Sequence, residues 1–342
     1  MKIVLNDRHA QHEPRIEYFR GRPVPAFETP ARVTRVLDAL QGTPHAVLTP
    51  HDHGMASIER VHRAAYLRFL RSAHDEWLAA GSEGDAFPAI WPVRSLRSDV
   101  EPASLAGRMG LYSMDSGTPL TAGSWTAAYW GAQASLSALD LVRAGDPCAY
   151  ALTRPPGHHA GADFFGGYCF VNNAAICAGA ALAAGATRVA ILDVDYHHGN
   201  GTQAIFYDRR DVLYVSLHGD PMTEYPFFLG HADERGEGAG LGFNVNLPLP
   251  AGASTALWLE ALREAIERVR AHAPQLVVVS LGVDTYAGDP ISSFRLQRED
   301  FTSLGRALAA PGWPTLLLQE GGYATDAMGA NVVAVLDAFS AG

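Results

Sequence analysis

Short aliphatic runs alternate with amphipathic or Ala-rich stretches along most of the chain. IVL (3–5), AVLT (46–49), AYAL (149–152), RVAILDV (188–194), VLYVSLH (212–218), FNVNLPL (243–249), QLVVVSLGV (275–283) and PTLLLQE (314–320) read as strands. Between them TPARVTRVLDAL (29–40), SWTAAYWGAQASLSALDLVRAG (124–145), NNAAICAGAALAAGA (172–186), TALWLEALREAIERVRAH (255–272) and FTSLGRALAA (301–310) read as helices. Runs such as LVVVSL are apolar almost throughout, which marks a strand buried on both faces. The pattern predicts an α/β fold with a mainly parallel central sheet and helices on both faces, organised as one domain over 1–342. No internal repeat is visible. Residues 81–122 break the alternation: they carry Gly, Pro and scattered aromatics (Phe87, Trp91, Tyr112) without a sustained period. So long an irregular stretch with apolar anchors reads as an ordered excursion, a lid or an oligomer contact.

Of the 342 residues, 48% are hydrophobic and 18% charged, which is globular composition with ample length for a core. The net charge of −10 argues against nucleic acid or an anionic membrane as partner and favours cationic ligands. Cys148, Cys169 and Cys177 form no CxxC pair, so neither thiolate zinc nor a disulfide framework is expected. The opening MKIVLNDRHAQ is too short in apolar length for a signal peptide, and no run reaches spanning length. A soluble, cytoplasmic protein is the expectation.

Chemistry-bearing residues cluster where strands end. AYAL runs into TRPPGHHAG (His158, His159), RVAIL into DVDYHHGN, QLVVVS into LGVDTYAGDP (Asp284), and PTLLLQ into EGGY (Tyr323). Open α/β sheets bind ligands beyond the carboxyl ends of their strands, so these four loops can share one pocket. Asp193, Asp195 and His197 alternate, and on an extended chain they point to one side. Asp195, His197 and Asp284 offer two oxygens and one nitrogen, leaving a coordination position open, as in a catalytic zinc site. The same donors suit Fe(II) or Co(II). His158 and His159 resist joint protonation, so one stays neutral near pH 7 and can serve as general base. A hydroxyl from Tyr323 could carry developing oxyanion charge.

RPPGHHA, FGGYCFVNNAAI, ILDVDYHHGNGTQAIFY, VSLHGDP, SLGVD and EGGY, in this order from 154 to 323, resemble the histone deacetylase and acetylpolyamine amidohydrolase superfamily. ERGEGAGLGFNVNLPLP, LGVDTYAGDPISSF and IVLNDRHAQH are most similar to its bacterial acetylpolyamine amidohydrolases. The resemblance implies an arginase/deacetylase-like fold and zinc held by Asp195, His197 and Asp284. It implies His159 as general base and acid, His158 as its electrostatic neighbour, and Tyr323 as the polariser of the acetyl carbonyl. Asp193 is implied to orient His158. Asn200 stands where some branches place an Asp beside the base, so His159 should titrate lower here. Structural K+ is implied at Asp193, Asp195, His197, Ser216 and Leu217, with a second site near Phe206, Arg209, Val212 and Phe243. Gly167, Tyr168 and Tyr225 would line the acyl channel. Glu17, Asp115 and Glu101 are the acids available to a distal ammonium, although Ala106 and Gly117 stand where further acids are expected. The long excursion would join a homodimer.

The implied reaction is hydrolysis of small acetylated polyamines of the acetylputrescine and acetylcadaverine type to acetate and free amine. The alternative substrate is acetyl-lysine in proteins or peptides. An arginase-like two-metal centre needs an acid two residues after the ligand histidine, where this chain has Gly199.

Overall fold

The computed structural model describes residues 1–342. Its strands are β1 (Lys2–Leu5), β2 (Ile16–Phe19), β3 (Arg22–Pro25), β4 (Ala46–Leu48), β5 (Cys148–Leu152), β6 (Val189–Asp193), β7 (Val212–Gly219), β8 (Asn244–Leu249), β9 (Leu276–Leu281) and β10 (Thr315–Gln319). The helices are α1 (Ala31–Leu40), α2 (Ala56–Glu59), α3 (Ala64–Ala79), α4 (Leu105–Leu111), α5 (Ser124–Arg143), α6 (Asn173–Ala183), α7 (Asn200–Phe206), α8 (Thr255–His272), α9 (Arg298–Ala309) and α10 (Thr325–Ser340). Eight strands form one sheet in the order β4-β1-β5-β10-β9-β6-β7-β8, and every neighbouring pair is parallel. These are the eight strands read from the sequence.

Alternation along the strands divides the apolar side chains between two cores. Ala190, Leu192, Val277, Val279 and Leu281 face α1, α8, α9 and α10, whereas Val189, Ile191, Leu276 and Val278 face α3, α5 and α6. Each core holds 38 buried residues, so the sheet is covered equally on both faces, which is why its strands carry no polar alternation. Helix starts are fixed locally. Asn172 Oδ1 accepts from Ala175 N–H at 2.9 Å, and Gln297 with Asp300 forms a capping box before α9. No helix is long and apolar enough to cross a membrane.

Three features depart from the sequence reading. The hairpin β2–β3 is not legible in IEYFRGRPVP, where prolines and charges mask a strand pattern. The excursion at 81–122 contains α4, whose LAGRMGL sequence has too much glycine to announce a helix. Gly110 is required there, because a Cβ would overlap the Ile90 carbonyl. The base of the excursion is closed by paired Ala86 and Leu120 backbone bonds of 2.9 Å each. Finally, β6 ends at Asp193, so the strand alternation does not extend through Asp195 and His197.

Candidate active site

The four strands that carry the chemistry, β5, β10, β9 and β6, are consecutive neighbours at the middle of the sheet. Their carboxyl-end loops therefore meet. His197 Nδ1 lies 3.1 Å from Asp284 Oδ2 and 3.5 Å from Asp195 Oδ1, and one donor atom from each residue falls within a 4.8 Å cluster. All three residues are buried. Backbone amides hold the carboxylates: His197 N–H donates to Asp195 Oδ1 (2.9 Å), Gly321 N–H to Asp195 Oδ2 (2.7 Å) and Tyr196 N–H to Asp284 Oδ1 (2.9 Å). Gly321 is a tight approach rather than a hinge, since a Cβ there would sit 2.5 Å from Asp195 Oδ2 and from Asp284 Oδ2. Burial, reinforced by the charge of Asp195, pushes Asp284 up to about 7. Two buried carboxylates and an imidazole converging in this way fit a divalent cation, which would relieve that repulsion.

Asp193 does not share the cluster's direction. Its Oδ2 accepts from Tyr214 O–H at 3.0 Å and lies 3.0 Å from His158 Nδ1. Burial alone would lower the pKa of His158, but Asp193 and Asp195 outweigh it and push the group up to about 10. His159 moves the other way: burial first, then the charges on His158 and His197, hold it well below its ordinary value. Its Nδ1 lies 2.7 Å from Asn200 Oδ1, an amide oxygen that can only accept, so Nδ1 carries the proton and Nε2 is left free. Gly167 (φ 53°) packs against this ring, where a Cβ would overlap it.

Tyr323 follows the two glycines after β10. Asp289 Oδ2 accepts from its N–H at 2.7 Å, and the Arg32 guanidinium sits 4.8 Å from its ring centre. His159, His197, Tyr323, Gly167, Tyr168 and Tyr225 all line one cavity of about 1050 Å³. Glu17 and Asp115 line it too. Tyr168 O–H donates to Glu17 Oε1 at 2.7 Å, and Tyr225 O–H donates to Asp115 Oδ2 at 2.6 Å. Asp115 also accepts from the N–H groups of Gly117, Thr118 and Gly167, so it organises the wall as well as charging it. Glu101 is exposed and lies outside the cavity lining, so it is not one of the mouth acids.

At the candidate K+ positions, Asp193 pairs with Ser216 in the β6–β7 register, with Leu217 next along β7. Phe206, Arg209, Val212 and Phe243 gather around the start of β7, where Phe243 O accepts from Tyr214 N–H. The sequence reading overlooked a buried ionic frame behind the site. Glu28 Oε1 lies 2.7 Å from Arg32 and 2.8 Å from Arg154, while Arg32 Nε donates to Gly322 O at 2.7 Å. Removing Glu28 would strand two buried guanidiniums, a loss of about 3–5 kcal/mol. Glu320 was also overlooked; its Oε2 accepts from Gly157 N–H (2.6 Å) and His158 N–H (3.2 Å) and so fixes the histidine loop. Of the two, only Glu320 carried a signal, an acid directly after the buried strand β10 in EGGY.

Residues 26–339 match the histone deacetylase domain model. Acetylpolyamine amidohydrolase 2 of Pseudomonas aeruginosa is 50% identical over 340 residues, covering 99% of this chain and 98% of the relative. The acetylpolyamine amidohydrolase of Mycoplana ramosa is 44% identical over 337 residues, 98% of each chain. The crystal structure of an acetylpolyamine aminohydrolase from Burkholderia pseudomallei superposes with a TM-score of 0.95 at 42% identity, covering 100% of this chain and 99% of that one. On this evidence, joined to the convergence of four strand ends on one buried cluster that fits a cation, the chain belongs to the histone deacetylase family of hydrolytic, metal-dependent deacetylases.

Proposed function

We propose that the protein hydrolyses small acetylated polyamines, of the acetylputrescine and acetylcadaverine type, to acetate and the free amine, working as one deacetylase domain over residues 1–342. The observation that carries the substrate class is the cavity wall, where Glu17 and Asp115 stand beside Tyr168 and Tyr225. Aromatic walls suit a methylene stem, and carboxylates draw in an ammonium group. Near full-length relatives carrying the acetylpolyamine amidohydrolase name support the same reading.

Zinc is the proposed ion for Asp195, His197 and Asp284, with Fe(II) or Co(II) compatible with the same donors. When bound, such an ion polarises a carbonyl and acidifies water. The chain's residues do the rest. His159 takes the proton of the attacking water at Nε2, which donation from Nδ1 to Asn200 leaves free, and returns it to the departing nitrogen. His158, charged against Asp193, keeps His159 neutral. Tyr323 donates a hydrogen bond from its phenol to the oxyanion and keeps its proton, and Asp289 and Arg32 hold it in place. Structural K+ is proposed at Asp193, Asp195, His197, Ser216 and Leu217, and its support is the adjacency of Asp193 to Ser216 and Leu217 across β6 and β7, with Asp195 and His197 in the loop that follows β6.

A homodimer through 81–122 is supported by Ile90, Val93, Leu96 and Val100, which are 64%, 59%, 56% and 53% exposed. Trp91 and Pro92, between the first two, line the cavity, so the same segment reaches both the mouth and the surface. Sedimentation velocity should find a dimer that Val93→Asp dissociates. The three free, buried cysteines agree with a reducing compartment such as the cytoplasm. The substrate assignment is tested by comparing acetate release from N-acetylputrescine and from N-butylacetamide, its uncharged counterpart of similar length. The charged amide should be favoured about tenfold or more in kcat/KM, and equal turnover would overturn the ammonium recognition.

A further inference from the structure

Outside the catalytic cavity, the extended stretch PHDHG (50–54) after β4 is laid along one face of α5. His51 N–H donates to Ser137 Oγ (3.1 Å), His53 N–H to Gln133 Oε1 (2.7 Å), and Tyr129 O–H to Asp52. Positions 129, 133 and 137 recur every four residues, and Asp140 lies three further along the same face. The two imidazoles are thereby brought together, with ring centres 4.0 Å apart and planes tilted by 35°.

We propose that His51, His53 and Asp140 form a second, structural binding site for a borderline transition-metal dication such as Zn(II) or Ni(II), which clamps the β4–α2 loop onto α5. One donor atom from each residue falls within 4.8 Å of the others. His51 Nε2 lies 3.6 Å from Asp140 Oδ2, and His53 Nδ1 lies 4.0 Å from the same oxygen. The opposite nitrogens, His51 Nδ1 and His53 Nε2, both rest on Ser137 Oγ, at 3.3 and 3.1 Å. With one lone pair of Ser137 Oγ taken by His51 N–H, the other accepts from one ring N–H, which orients that imidazole as a metal-ligating histidine is oriented. Arg143 approaches the other carboxylate oxygen, Asp140 Oδ1, at 3.4 Å, which leaves Oδ2 to the histidines.

Two nitrogens and one oxygen, with water completing the shell, suit Zn(II) or Ni(II) better than Ca(II) or Mg(II). None of the three residues lines the catalytic cavity, so this ion would leave the chemistry alone.

The test is calorimetric titration of Zn(II) and Ni(II) into enzyme already carrying one equivalent of zinc, with thermal melts in parallel. A further single site is expected, with Kd of about 10 μM or tighter and a rise in Tm of a few degrees. His51→Ala and His53→Ala should each remove that event and the Tm rise, Asp140→Asn should weaken binding about tenfold, and acetate release should be unchanged in all three. No uptake by the wild type beyond the zinc already bound, or a second event that survives both histidine substitutions, would overturn the site. His51 is exposed, so its replacement does not put folding at stake.

Discussion

His159 Nδ1 sits 2.7 Å from the side-chain oxygen of Asn200, a partner that fixes the ring's tautomer without adding charge. An aspartate in the same place would stabilise the imidazolium, so Asn200→Asp should raise the pKa of His159 by about 1–2 units. Because the base acts in its neutral form, the acid limb of the kcat/KM profile should move to higher pH by that amount. A pH–rate comparison of the two proteins checks it, and superimposable profiles would remove His159 from the role of base.

Tyr323 has its backbone anchored by Asp289 and its ring against Arg32, while its phenol faces the cavity. Tyr323→Phe keeps those anchors and the shape. It should retain the metal yet lose about a hundredfold or more in kcat, as for loss of one oxyanion donor. Metal content and turnover measured on one preparation separate the two effects. Wild-type turnover in this variant would sink the assignment.

Gly321 makes a different prediction. A methyl group there meets both metal-facing carboxylates at 2.5 Å, and the backbone amide that holds Asp195 comes from the same residue. Gly321→Ala should therefore lower zinc affinity by about tenfold or more while the protein stays folded. Competition with a chromophoric chelator gives the affinity, and circular dichroism reports the fold.

Glu17 is buried against Tyr168 and Phe27, and burial pushes its carboxyl up to about 7 although both hydrogen bonds pull it back. Below that pH it is neutral, above it charged. The KM for a cationic acetylated amine should thus rise by about 3–10-fold between pH 8 and pH 6, and the KM for a neutral amide should not. Glu17→Gln should show the raised KM at both pH values. A pH dependence that persists in the glutamine variant would assign it to another group.

Much of this site could be read from the chain because its parts sit at the ends of near-continuous apolar strands. RVAIL followed by DVDYHHGN, and LVVVS followed by LGVD, place unpaired acids where a buried sheet stops, and parallel topology brings those ends together. Side-chain direction was less legible. Asp193 lies two residues before Asp195 and yet serves His158, because the strand ends between them and the alternation with it. Glu28, Arg32 and Arg154 were invisible for another reason. Glu28 and Arg32 are four residues apart, but Arg154 joins them from the loop after β5, more than a hundred residues away, and no local pattern encodes that contact. Gly321 of EGGY is there for the space its missing side chain leaves to Asp195 and Asp284, a close approach that no local pattern announces.

The central claim is that this cavity deacetylates small cationic amines. It is tested most directly by acetate release from the zinc-loaded protein with N-acetylputrescine, N-acetylcadaverine, acetylspermidine and an acetyl-lysine peptide side by side. Fast turnover of the small amines with a poor peptide is the predicted result. A preferred peptide would contradict the account and reassign the site to acetyl-lysine in proteins.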